Sequence, residues 1–250
     1  GVVVARFVGA RDVAGQRRAY AATLAVALAG SAAIAVLGVA LARPAFAANA
    51  VPAASLEGAV GYTVVLCCGC AGPFLMNAAA AFLKAQGDAR TPLQLVGASA
   101  LVNVALDLVL VGPAGLGVVG AAWATVVAQS VAAVGALIVV RRRFPGGSLA
   151  GAFARGSDVP VGTSVVEVLR VGVPSAVQMA VVNLSYALVT GLLNRYGTDV
   201  AAAAGVGLQI STIAGLPCWA IGQAITTAAA QNAGAGELRR ARDVARIGAT

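Results

Sequence analysis

The stretch Leu101-Val-Asn-Val-Ala-Leu-Asp-Leu-Val-Leu110 sets a carboxylate, Asp107, inside a run that is otherwise compatible with lipid. No other acid or base occurs in the long apolar segments of this chain. A charge at the centre of a bilayer costs about 2.5 to 3.5 kcal/mol on insertion scales, so such residues face a partner or a water-filled path. The run around Asp107 therefore reads as a membrane helix with a functional polar face.

Composition agrees. The chain is 60% hydrophobic and 10% charged, with a mean hydropathy of +0.89, far from the roughly 25% charge of soluble domains. Six runs reach the about 20 residues needed to cross a hydrocarbon core, at 19–42, 58–83, 91–111, 115–140, 171–194 and 200–230. The expected fold is an all-α, polytopic helical bundle embedded in a membrane. Pro73 predicts a bend in the second run, and Pro217 in the long sixth run predicts a kinked helix or one that continues past the membrane.

Sixteen arginines and Lys84 against nine acids give a net charge of +8. With loops assigned to alternate sides, fifteen of these cations fall on one side and only Arg43 and Arg195 on the other. That bias marks the richer side as cytoplasmic, with loops 84–90, 141–170 and 235–250 there, and it makes Arg141 to Arg143 a topology anchor rather than a nucleic-acid or lipid site. The chain opens at Gly1 as if in mid-helix, without a signal peptide, and reads as an internal piece of a longer protein.

A short echo suggests a larger plan. Val8-Gly-Ala-Arg-Asp12 recurs as Ala233-Gly-Ala-Gly-Glu237, with Gly9 and Gly234 225 positions apart. A same-orientation repeat of that period implies two six-helix lobes. Residues 1–143 would close the first lobe, 144–170 form a cytoplasmic linker rich in Gly, Pro and Ser, and 171–250 open the second.

Asn103 and Asp107 stand four apart, on one face of a helix and about 6 Å apart along its axis. The chain reverses near Gly112-Pro-Ala-Gly115 and returns through Thr125, which comes back to a depth of about 15 Å beside Asn103. Small residues Gly117, Gly120, Ala121 and Ala122 allow the two helices to approach closely. An interhelical hydrogen bond alone would explain Asn103 and Thr125, but an ionisable carboxylate is an expensive choice for that purpose. Two further polar stripes, Gln178, Asn183, Tyr186 and Thr190, then Gln223, Thr226, Thr227 and Gln231, either line a cavity or pack helix on helix.

Cys67, Cys68, Cys70 and Cys218 lie in apolar segments of a chain with no histidine, so neither a zinc site nor a disulfide framework is indicated. No nucleophile stands with a base, which argues against an enzyme. Any proton-linked step near neutral pH falls to a carboxylate with a raised pKa.

Gly87-Asp-Ala-Arg-Thr-Pro92, Asn103, Asp107 and the run from Gly115 to Gln129 resemble the fifth and sixth helices of multidrug and toxic compound extrusion (MATE) transporters. Leu169-Arg-Val-Gly-Val-Pro174, Gly222-Gln-Ala-Ile-Thr-Thr227 and Gln231-Asn-Ala-Gly-Ala-Gly236 resemble the seventh and eighth. The resemblance implies twelve helices in two lobes around a central cavity that opens to alternate sides. It assigns Asn103, Asp107, Thr125 and the Ala121 carbonyl to a coupling site for H+ or Na+, without any prosthetic group. Gln178, Asn183, Tyr186, Thr190, Gln223 and Thr227 become candidate cavity lining. Some members carry a coupling Glu early in helix seven; Val181, Val182 and Asn183 stand here, which favours the DNA-damage-inducible-F-like branch. The implied activity is export of organic, cationic or amphipathic small molecules by a monomer in the inner (plasma) membrane. A lipid-linked oligosaccharide flippase of the same superfamily and a non-transporting membrane remnant are the alternatives.

Overall fold

A computed structural model describes residues 1–48, 53–144, 161–193 and 198–248. Nine helices follow one another among the described residues, with no strand: α1 (Val2–Gly9), α2 (Val13–Ala48), α3 (Ala53–Gly69), α4 (Ala71–Ala85), α5 (Arg90–Val111), α6 (Gly117–Arg143), α7 (Val161–Leu193), α8 (Thr198–Gly234) and α9 (Leu238–Ile247). Five helices are long and apolar enough to cross a membrane, and α3 with α4, bent by 43°, passes the same test when the pair is taken as one broken span. These are the six runs expected from hydropathy.

The bend falls at Cys70, between α3 and α4. Pro73 is the third residue of α4, where its missing N–H costs the new helix nothing but denies the preceding turn a continuing hydrogen bond. Pro217 lies inside α8, which runs on for 37 residues, or about 55 Å at 1.5 Å per residue, longer than a hydrocarbon core. Helix α7 begins at Val161, so the last part of the stretch read as a linker is helical. Residues 145–160 of that stretch, with Arg155, and Arg195 in the loop after α7 lie outside the described residues.

The chain forms two compact units, one of 12–165 and one of 2–11 with 166–250. In the first, α6 packs against α3, α4 and α5, while α2 packs against α3 and α4. The contact face of α6 is made of small residues, with Gly120, Ala122, Ala124, Ala128, Ala132, Ala133 and Ala136 all buried. Close approach follows: a Cβ on Gly72 would stand 2.7 Å from Ser130 Oγ, and one on Gly69 would stand 2.3 Å from the Val126 side chain. Where lipid surrounds a bundle, no hydrophobic force separates helix from solvent, so backbone proximity and dispersion hold the helices together. Large apolar side chains such as Leu93, Leu101, Leu108 and Val131 point outward.

Polar contacts tie one end of this unit. Gln86 Nε2 donates to Gln16 Oε1 at 2.7 Å. Asp88 caps α5, its Oδ1 accepting from the Thr91 amide at 3.0 Å and its Oδ2 from the Thr91 hydroxyl at 2.6 Å, and Arg143 at the end of α6 pairs with the same carboxylate. These bonds gather the ends that carry Arg17, Arg18, Lys84, Arg90 and Arg141 to Arg143. Beneath them the rings of Tyr20 and Phe82 meet at 4.5 Å between centroids, tilted by 40°, with Phe144 edge-on to Phe82. At the other end Arg43 pairs with Glu57 at 2.5 Å.

In the second unit α1 packs against α8, and α9 folds back on α8. Segment 2–11, placed by sequence with the first lobe, clusters in space with α7 to α9.

Candidate functional site: a polar recess between α4, α5 and α6

The hairpin of α5 and α6 turns through Gly115 (φ +64) and Gly117 (φ +52), left-handed conformations that glycine adopts at little cost. The amides of Ala114 and Leu116 return to the carbonyls of Val109 and Leu110 and close the end of α5. Beside the turn, a Cβ on Gly120 would stand 3.0 Å from the Leu110 carbonyl oxygen. Such contact sets the registry that brings Asn103 opposite Thr125.

Asn103 Nδ2 donates to Thr125 Oγ1 at 3.3 Å, and the Thr125 hydroxyl donates to the Ala121 carbonyl at 3.0 Å. Three of the four residues expected at the site are thus joined in one hydrogen-bonded relay across two helices. The fourth, Asp107, lies one turn further along α5. Its Oδ1 is buried and has no hydrogen-bond partner. A buried acceptor without a donor costs about 1 to 3 kcal/mol, and more when charged.

Toward the other end of α5 the relay opens on a cavity of about 340 Å³. Asn103 and Thr125 form part of its wall, with Asn77, Ser99 and Gln129 as further polar groups and Pro73, Met76, Val96, Ala100 and Ala132 as apolar ones. Asn77 Nδ2 bonds back to the Pro73 carbonyl at 2.9 Å, which leaves its amide oxygen toward other partners. Sequence reasoning did not single out Asn77, Ser99 or Gln129. Spacing could have found two of them: Ser99, Asn103 and Asp107 recur every four residues on α5, as Thr125 and Gln129 do on α6, so each set shares a helix face.

The polar stripes of α7 and α8 are not gathered into a comparable site among the described residues. Gln178, Asn183, Tyr186 and Gln223 are exposed. Asn183 Nδ2 donates to Met179 O at 2.9 Å, and the hydroxyls of Thr226 and Thr227 donate to Gly222 O and Gln223 O at 2.8 and 2.9 Å. Each bond returns to its own helix, four residues back, which satisfies a polar side chain in an apolar setting without a neighbour. The side chain of Thr190 lies outside the described residues. No cluster of His, Cys, Asp or Glu able to hold a metal occurs among the described residues; Cys70 Sγ contacts the Ser31 carbonyl at 3.4 Å and all four thiols are free.

Close-packed helices of membrane-spanning length, with a polar recess between α4, α5 and α6 and the buried Oδ1 of Asp107 one turn from its wall, define a polytopic membrane protein. Its fold matches that of a MOP superfamily transporter from Pyrococcus furiosus with a TM-score of 0.85 at 20% identity, over 99% of this chain and 54% of that one. It also matches a Vibrio cholerae MATE transporter with a TM-score of 0.88 at 21% identity, over 98% and 55%. A family model described as MatE covers residues 1–109 and 174–250. The Bacillus subtilis protein named "Probable multidrug resistance protein YoeA" is 32% identical over 70% of this chain and 38% of its own length. "Probable multidrug resistance protein NorM" of Thermotoga maritima is 29% identical over 75% and 40%. The chain belongs to the MatE family of multi-pass membrane transporters. It spans about two fifths of the length of these curated relatives.

Proposed function

We propose that the complete gene product is a secondary antiporter that exports organic, cationic or amphipathic compounds in exchange for H+ or Na+ entering at Asp107. The observation that carries this reading is the buried, partnerless Oδ1 of Asp107 one helical turn from the Asn103, Thr125 and Ala121 relay. An ionised carboxylate there calls for a cation, and a protonated one is tolerable in lipid. Binding and release of that ion change the charge on a face shared by α5 and α6, and so bias two arrangements of the helices. The side-chain oxygens of Asn103 and Thr125 and the Ala121 carbonyl offer the hard oxygen donors that an alkali cation takes.

The cavity is the candidate substrate recess of the first lobe, 1–143, with 144–170 as linker and 171–250 opening the second lobe. Its volume lies within the 300 to 1,000 Å³ common for small-molecule sites. Its wall mixes neutral amides and hydroxyls with apolar carbon and carries no Lys or Arg, which suits an amphipathic organic compound better than the polyanionic headgroup of a lipid-linked oligosaccharide. The end tied by Asp88 and Arg143 is the cytoplasmic one in an inner (plasma) membrane, supported by the cations collected there. The protein works as a monomer, without enzymatic chemistry, a prosthetic group or nucleic acid.

The test is uptake of a cationic dye into inverted vesicles that hold the complete gene product, with H+ and Na+ gradients imposed separately. Accumulation that one gradient drives and its collapse abolishes is the expected result. Equal accumulation with no gradient refutes antiport.

A further inference from the structure

Helix α9, Leu238-Arg-Arg-Ala-Arg-Asp-Val-Ala-Arg-Ile247, sorts its side chains sharply around its axis. Ala241, Val244 and Gly248, at spacings of three and four, form the face toward α8: the first two are half-buried, and a Cβ on Gly248 would stand 2.1 Å from Ile225 Cδ1. Arg239, Arg242 and Arg246 repeat that spacing two positions earlier, which is about 200° around the helix. They form a stripe on the side away from α8, about 10 Å long at 1.5 Å per residue, and all three are exposed. Exposed apolar groups border the stripe, Leu238 (62% exposed) and Ala245 on one flank and Ile247 (75% exposed) on the other.

Nothing in the surrounding unit neutralises these cations. None of the four arginines of α9 forms an ion pair among the described residues. Helix α1 carries no acid and α8 none after Asp199, so Glu237 and Asp243 are the carboxylates at hand against four guanidiniums. The equivalent place in the first repeat is built differently. There Asp12, 225 positions before Glu237, accepts from the Gly15 amide at 2.8 Å and pairs with Arg18 at 3.9 Å, whereas Glu237 makes no side-chain cap bond to α9. Like charges three and four apart on a helix repel, and neighbours in the stripe, about 5 to 6 Å apart, lie within a Debye length of about 8 Å. A helix of ten residues is marginal by itself. An anion along the outer face of α9 would relieve both weaknesses.

We propose that the Arg239, Arg242 and Arg246 stripe binds the phosphate headgroups of anionic phospholipids. Position favours lipid over a soluble anion. Helix α9 starts four residues after α8, a helix of membrane-spanning length, has ended, and it runs back along α8 as far as Ile225, nine residues or about 14 Å from that end. Each headgroup layer is only about 5 to 8 Å deep, so a helix returning along a span in this way passes through one. Guanidinium groups take phosphate oxygens in pairs, while exposed leucine and isoleucine beside them enter the acyl boundary, as in interfacial helices. Free phosphate or an acidic protein surface would leave those apolar flanks in water. The inference needs a membrane-embedded chain and does not depend on antiport.

The experiment uses the complete gene product with its cysteines, Cys67, Cys68, Cys70 and Cys218 among them, replaced by serine and a fluorophore at Ala245→Cys, an exposed position beside the stripe. It is placed in nanodiscs of phosphatidylcholine and phosphatidylglycerol, with a spin-label quencher carried near the headgroup of one lipid or the other at equal mole fraction. Quenching by labelled phosphatidylglycerol is expected to exceed that by labelled phosphatidylcholine at least about threefold and to lose that excess in about 0.5 M NaCl. The combined change Arg239→Gln, Arg242→Gln and Arg246→Gln is expected to equalise the two lipids, Arg242→Gln alone to lower the preference, and the matching lysine variant to keep it. Equal quenching by both lipids in the arginine protein overturns the proposal, as does an undiminished preference in the glutamine variants. If the triple variant fails to fold, Arg242→Gln and the salt dependence still decide the matter. Loss of the preference on adding a millimolar excess of inorganic phosphate identifies a free-anion site and overturns the lipid assignment. Quenching by neither lipid puts this face in water or against another macromolecule and overturns it too. No arm reads transport, so failure of the antiport reading leaves this result intact, and the reverse holds equally.

Discussion

Replacing Thr125 by valine removes one hydroxyl and keeps the shape, so it separates a site from a mere fastening. In the structure that hydroxyl accepts from Asn103 and donates to the Ala121 carbonyl. Ala121 keeps its helical hydrogen bond in the variant, so the loss falls on Asn103. Interhelical hydrogen bonds within membranes contribute about 0.6 kcal/mol on average and about 1.7 at most. Taking the larger figure against the about 5 kcal/mol at the low end of protein stability leaves about 3.3 kcal/mol, and the unfolded fraction stays below about 1%. Destabilisation alone therefore cannot account for a loss of transport greater than a few per cent. The expected outcome for Thr125→Val is a loss of about 0.6 to 1.7 kcal/mol in reversible unfolding in mixed micelles, together with at least a tenfold fall in gradient-driven export per folded molecule. Thr125→Ser, which restores the hydroxyl, recovers most of the transport. Wild-type export by Thr125→Val would reduce the Asn103 and Thr125 bond to packing and refute the reasoning.

Two further outcomes concern stability. Asp88→Ala removes the cap of α5 and the ion pair to Arg143, at a cost of about 1 to 2 kcal/mol that lies mostly in the cap, since exposed ion pairs contribute little; no change in unfolding would contradict the cap. The Thr91 hydroxyl, the Thr91 amide and then Arg143 hold the Asp88 carboxyl below its ordinary value. A depressed folded pKa stabilises the protein above the unfolded value near 3.9, and the contribution is lost as pH falls through the folded value. Wild type therefore approaches Asp88→Ala in unfolding midpoint only below about pH 4, and an unchanged gap at pH 3 would count against this. Tyr20 is 1% exposed, and its hydroxyl has no hydrogen-bond partner, so Tyr20→Phe keeps the tilted ring contact with Phe82 and leaves stability equal or raises it by up to about 1 kcal/mol. A clear loss of stability would reveal a partner for that hydroxyl.

The spans were legible because a membrane imposes one simple rule, about 20 apolar residues between charges, and the six runs became five long helices and one bent pair. The bend near Pro73 was legible for the same local reason. The relay of Asn103, Thr125 and Ala121 could be inferred from a count of 1.5 Å per residue on either side of one turn. Asn77 was not, because it comes from α4, whose approach depends on the bend at Cys70 and on Gly72 lying against Ser130. Spacing on one helix does not encode which third helix will pack there. The stripes of α7 and α8 show the converse limit: hydroxyls and amides that bond four residues back along their own helix give the same sequence pattern as residues that line a cavity. The start of α7 at Val161 was hidden by Pro160 and Gly162, which read as loop residues although a proline directly before a helix and a glycine in its first turn are both tolerated.

The central claim is that Asp107 carries the ion that drives export. It is tested most directly by proteoliposomes holding the complete gene product, wild type or Asp107→Asn, in which dye movement is followed under an imposed H+ gradient and, separately, an imposed Na+ gradient. Asparagine keeps the size of the side chain and removes its charge and proton. The account predicts gradient-driven dye accumulation in the wild type under one of the two ions, and its loss in Asp107→Asn while the variant still folds and still binds dye. Accumulation by Asp107→Asn at the wild-type rate under the same gradient would contradict it.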